Sequence, residues 1–266
     1  MVGASALLMS TVVSPGEIKI VIDHNANENA TAGFKFKHVP SPSRGDAAAK
    51  AQFAIVDGQK DANGGDLDKL HDGAVPTEED QPSANMFFNA GTDGGRLLID
   101  LGRAIDIKQV NTYSWHAGSR GPQVYQLYAS DGKADHFNAQ PKQGTDPEKC
   151  GWKLIAKVDT RPGTGEVGGQ YGVSISDSEG TLGKYRQLLF DISRTEAADP
   201  FGNTFYSEID VIDDQAPQVV EETLAAQPAV ETVETDGGTY LITLDTTETP
   251  DLTEWVHQVL APVVKE

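Results

Sequence analysis

The stretch best suited to chemistry is Trp115-His116-Ala-Gly-Ser-Arg120-Gly-Pro. Gripping a sugar ring takes an aromatic face to cover its C–H surface, plus fixed donors and acceptors for its hydroxyls. Trp115 offers the face, and His116 and Arg120 offer the polar groups, all within six residues. Asn203 and Phe205, in Phe201-Gly-Asn-Thr-Phe, add an amide and a second ring. A tryptophan at a strand end reads equally well as a cap on the core, with Arg120 in a structural ion pair.

Patterns for catalysis are missing. The histidines, at 24, 38, 71, 116, 136 and 257, are never four residues apart, so no H-E-x-x-H zinc helix can form. Neither a G-x-S-x-G elbow nor a phosphate loop is present. Gly163-Thr-Gly-Glu-Val-Gly-Gly has no lysine and reads as a flexible hairpin loop. Paired carboxylates arise by chance in a chain of net charge −19, so they do not indicate a glycosidase. The single cysteine, Cys150, lies in a polar loop and cannot form an intramolecular disulfide. The expectation is a chain that is not itself an enzyme.

The charge narrows the partners. Nucleic-acid binding needs a basic surface to displace counterions, and anionic membranes attract the same kind of surface. Both are poor fits here. The acids are uneven, since Asp213 to Val264 holds no Lys or Arg.

The elements that must position these residues read as strands. Glu17-Ile-Lys-Ile-Val-Ile-Asp alternates and is β-branched. Residues 24–90 are polar and turn-rich. Short apolar runs then follow at Arg96–Leu101, Ile107–Trp115, Gln123–Ser130, Trp152–Val158, Tyr171–Ile175, Tyr185–Ile192 and Phe205–Ile212, separated by Gly-rich turn signals. Many short strands with almost no helical periodicity argue an all-β sandwich for residues 16–213. Residues 214–238 read as an acidic flexible linker. Residues 239–266 carry one strand and one amphipathic helix, with Leu252, Trp255, Val256, Val259 and Leu260 on one face. That is too little for a core, so the segment reads as the truncated start of an α/β domain. Residues 1–15 are apolar and resemble an export-signal remnant, although a basic flank is missing.

Four stretches in order resemble the galactose-binding-like (discoidin, coagulation-factor type C) family and its family 32 carbohydrate-binding modules. They are Asp72-Gly73-Ala-Val-Pro-Thr77, similar to a D-G-x-x-x-T loop; Leu98-Ile-Asp-Leu-Gly102 with Ile107 and Val110; Tyr125–Gly132; and Ser207-Glu208-Ile-Asp-Val211. The aromatic pair Phe87-Phe88 stands about ten residues after Thr77, later than the family's tryptophan, so that loop is longer here. The resemblance implies a jelly-roll sandwich and a structural calcium ion held by Asp72, Thr77 and Glu208. It also implies sugar binding through end loops. Calcium prefers oxygen donors of this kind, and a long Gly- and Asp-rich loop has much entropy to lose without a clip. In the plainer alternative, Asp72-Gly73 is a simple turn and Glu208 a surface acid. The segment from Tyr240 resembles the opening of the basic secretory protein family, whose peptidase-like zinc helix would lie further downstream.

The resulting expectation is a secreted, extracellular or periplasmic, monomeric module. It binds a glycan or another extracellular polymer, inserts in no membrane, and localises an attached hydrolase. The rival readings are a protein–protein adhesion module, marked by a large apolar patch at the loop end, and the N-terminal part of a metallopeptidase.

Overall fold

A computed structural model describes residues 16–165, 167–196 and 201–216, together with the backbone of two further strands. The chain divides into two units at Ala216. The first is all-β, and its described residues include no α-helix. Eight strands build it: β1 Ile18–Ala26, β2 Gln52–Asp57, β3 Gly95–His116, β4 Val124–Ser130, β5 Lys153–Asp159, β6 Gly169–Asp177, β7 Gly183–Ile192 and β8 Tyr206–Asp213. Pairing runs β1-β6-β3-β7-β4-β5, with β2 and β8 also on β3, and every pair is antiparallel.

The 22-residue β3 organises the sandwich. Its first half pairs with β2 and β7, and its second half pairs with β6 and β8. One strand therefore serves both layers. The sequence suggested two strands split at Gly102. The structure instead keeps one strand and places an irregularity between Asp100 and Ile105. Gly102 sits there at φ +76°, a left-handed conformation that glycine adopts without a Cβ penalty, and its N–H donates to Asp100 Oδ1 at 2.8 Å.

The core lies between the layers and includes Leu97, Ile99, Ile107, Val110, Leu127, Val173, Ile175, Phe190, Ile209 and Val211. Leu98 faces the other way, into a smaller cluster with Val56, Tyr128, Trp152 and Leu189. Burial on both faces explains why Leu97-Leu98-Ile99 is an unbroken apolar run. Arg96 is buried with them, and its guanidinium donates to the Pro141 and Lys142 carbonyls and to Asp191. Strand β2 lies in the stretch that read as loops. Its run Phe53-Ala-Ile-Val is short, and pairing with β3 supplies what its own pattern lacks.

In the second unit β9, Ala229–Thr235, pairs antiparallel with β10, Gly238–Leu244. Residues 229–235 therefore form a strand where the sequence suggested linker. The β-branched Val230, Thr232, Val233 and Thr235 favour extended backbone. The amphipathic segment 251–260 and residues 1–15 lie outside the described residues.

Candidate functional site

One end of the sandwich collects the loops 78–94 and 117–123 with residues 193–196 and 201–205. Hydrogen bonds lock them together. Phe205 N donates to Arg120 O at 3.0 Å, and Thr204 Oγ1 donates to Pro122 O at 2.6 Å. Asn203 Nδ2 donates to Asn89 O at 2.7 Å and to Thr92 O at 3.2 Å. Met86 and Tyr206 exchange backbone bonds. The end is thus a cross-tied platform, as a preorganised site requires.

The sequence-predicted residues separate into two groups on it. His116 and Arg120 are half-buried and face the loop end. The Arg120 guanidinium carbon lies 3.9 Å from the Phe205 ring centroid and 4.4 Å from that of Phe87, and those two rings stack at 4.2 Å. Its Nε donates to Asn203 O at 3.2 Å. Cation–π contact and this bond fix the guanidinium plane. The His116 ring packs edge-on against Phe205 at 4.9 Å. Its Nδ1 accepts from Gly118 N at 2.9 Å, which places the ring hydrogen on Nε2, 4.0 Å from Asp80 Oδ1.

The other three residues are structural. Trp115 is 5% exposed, and its indole N–H donates to Asn27 Oδ1. Its ring is covered by the 27–42 segment, beside a cavity of about 30 Å³ also lined by Phe34, Phe36 and Tyr113. Trp115 points there because odd-numbered residues at this end of β3 face away from the core, and the covering segment closes over them. Phe205 is 0% exposed and Asn203 1% exposed, so neither ring nor amide can meet a ligand. Phe205 is the underside of Arg120, and Asn203 is a brace. The aromatic ring open to solvent is Phe201, 54% exposed, with the Arg120 guanidinium 6.0 Å from its centroid. Its role was hard to see in sequence. Two phenylalanines flank the same Gly-Asn-Thr, and only the fold tells which one is outside.

On the outer face of β8, Glu208 and Asp210 are buried at 0% and 1% exposure under the 39–48 and 71–77 segments. Glu208 Oε2 accepts from Gly73 N at 3.1 Å, while Oε1 is buried without a partner. Burial first, then the neighbouring Asp210 carboxylate, pushes Glu208 up to about 9. Burial, with Asp46 beside it, likewise pushes Asp210 up to about 7, although Ser43 N and the Tyr113 hydroxyl donate to it. Asp46 also has an orphaned Oδ2. Orphaned carboxylate oxygens under a loop demand a proton or a cation. Glu208 therefore fits the expected calcium. Its two companions fit less well. Asp72 Oδ2 pairs with Lys69 Nζ at 2.9 Å, and Thr77 is exposed with its hydroxyl on Gln81 Oε1. Among the described residues no group of three or more His, Cys, Asp or Glu is arranged to hold a metal.

No family model and no curated protein matches the sequence. Solved structures do resemble the fold at low score. The family 32 carbohydrate-binding module of Clostridium perfringens NanJ in complex with galactose is 11% identical, with a TM-score of 0.39, covering 63% of this chain and 95% of that one. The lectin domain of lectinolysin complexed with Lewis b antigen is 12% identical, with a TM-score of 0.41, covering 63% and 96%. A Streptococcus pneumoniae fucose-binding module is 15% identical, with a TM-score of 0.40, covering 68% and 100%.

Proposed function

We propose that residues 16–213 are a non-catalytic carbohydrate-binding module whose site is the loop end at His116, Arg120 and Phe201. The observation that carries this reading is the exposed Phe201 ring beside a guanidinium held flat on buried aromatics. Phe201 offers the face for a sugar's C–H surface. His116 and the Arg120 guanidinium are the polar groups beside it that would meet the hydroxyls. An adhesion site would instead need a broad apolar patch at this end. Among the described residues the exposed large apolar side chains are Phe201, Val167 and three isoleucines of β1, and the last belong to a different face. In this reading the module holds an attached secreted hydrolase at its polymeric substrate by raising effective concentration. A calcium ion at Glu208 would compensate the buried carboxylates and pin the 71–77 loop.

The test is a broad glycan and polysaccharide array probed with the full chain. Phe201→Ala and Arg120→Ala should each weaken a hit about tenfold or more, near 1.4 kcal/mol. Phe201→Ala should leave the unfolding midpoint unchanged. A folded protein that retains no glycan, or a Phe201→Ala variant that binds like wild type, overturns the reading.

A further inference from the structure

Strand β1 ends the sheet, and among the described residues its only pairing partner is β6. Among the described residues the other row of its backbone donors and acceptors makes no strand pairing, although one end of β1, at Ile18, shares a pocket with Leu154 and Ile155 of β5. The side chains on it are unusual for such an edge. Ile18, Ile20 and Ile22 are 36, 37 and 44% exposed, all on one face. They oppose Asp177, Ile175 and Val173 of β6, of which Ile175 and Val173 are fully buried. The apolar face of the layer thus runs on past its own core into solvent. Strand β5, last in the pairing order, is guarded differently. Its apolar residues turn inward, and its exposed positions are Lys153, Lys157 and Asp159.

We propose that β1 pairs antiparallel with β1 of a second copy, about a two-fold axis at Val21, giving a dimer with one sheet continuous across it. The register follows from the side chains. Centring on Val21 opposes Ile20 to Ile22, Ile18 to His24 and Lys19 to Asp23 of the other copy, so each β1 charge between residues 18 and 24 meets its opposite. Shifting by two residues one way sets Glu17 against Asp23, and shifting the other way removes Lys19 from Asp23. A two-fold contact is self-complementary and closes, so it ends at a dimer and not a fibre. Asp23 is preset for the role. His38 N and Val39 N donate to its Oδ2, and His38 Nδ1 lies 2.9 Å from its Oδ1, which together hold the carboxylate in the ionised form.

Sedimentation velocity of the full chain over about 1 to 100 μM should show conversion to twice the chain mass. Ile20→Lys should hold the mass at one chain with little change in melting temperature, because that side chain is 37% exposed within its own copy and its lysine stem can lie over the same surface. In a Cys150→Ser background, Val21→Cys should cross-link between copies under mild oxidant, since the axis sets the two positions face to face within disulfide reach. Lys19→Cys should not. A single-chain mass throughout, a dimer that survives Ile20→Lys, or cross-linking of Lys19→Cys as fast as Val21→Cys overturns the proposal.

Discussion

Arg120 and Trp115 stand five residues apart and play opposite parts. Arg120 keeps its charge at the surface because two buried rings support it from below. Trp115 spends its whole ring on the covering segment. Trp115→Ala should therefore cost about 3 kcal/mol or more of folding stability, the range for a buried aromatic truncation. Denaturant unfolding followed by fluorescence would show it, and the fraction still folded should bind glycan like wild type. Unchanged stability with lost binding would return Trp115 to the ligand site. Glu208 makes the complementary case. Its orphaned oxygen and its raised proton affinity both say that the buried charge lacks compensation from the protein alone. Replacing it with glutamine removes that charge while keeping an acceptor for Gly73 N.

At the scale of elements, the 71–77 loop is the segment a cation at Glu208 would act on. Its ends are held by His71 on Asp68 O and the Phe53 ring and by Thr77 on Gln81 Oε1, and its middle by Gly73 N to Glu208 and Lys69 to Asp72. Calcium there should raise the melting temperature by several degrees over chelator-treated protein, in proportion to its binding free energy. Glu208→Gln should melt at or above the chelated wild type and lose the response to calcium. Superimposable wild-type curves with calcium and with chelator would dismiss the ion. The strands were the legible part of this scale. Alternation and β-branching marked β1, β5 and β6, and a doubly buried apolar run marked the start of β3. Strand β2 escaped because its neighbours in sequence are turns and its partner is remote. The site was half legible. A Trp-His…Arg run names its residue types, but which rings end up covered depends on segments as distant as 27–42 and 78–94. No local spacing encodes that.

Across the whole molecule, the charge of −19 sets the class of polymer the chain can approach. Much of that excess lies after Asp213, yet any polyanion still meets a negative field. Retention on a neutral glycan should change less than about twofold between roughly 50 and 500 mM salt, because no counterions are released. Sulfated polysaccharides should not be retained even at low salt. Steep salt dependence in affinity electrophoresis would show that Arg120 acts as part of an anion site and not as a hydroxyl donor.

The course of β3 and β8 matters for a module under load. Strand β8 starts at the loop end, at Tyr206, and runs antiparallel beside β3 until the chain leaves at Asp213. Under the proposed function, a polymer held at His116, Arg120 and Phe201 would pull along the strand axis, against the direction in which β8 runs. Every rung between β8 and β3 then bears tension at the same moment, as in shear, and none can be peeled open ahead of the others. Because β3 also threads both layers, that tension spreads into the entire sandwich. The β3–β8 ladder is arranged like a rope splice, loaded lengthwise between the loop end and Asp213.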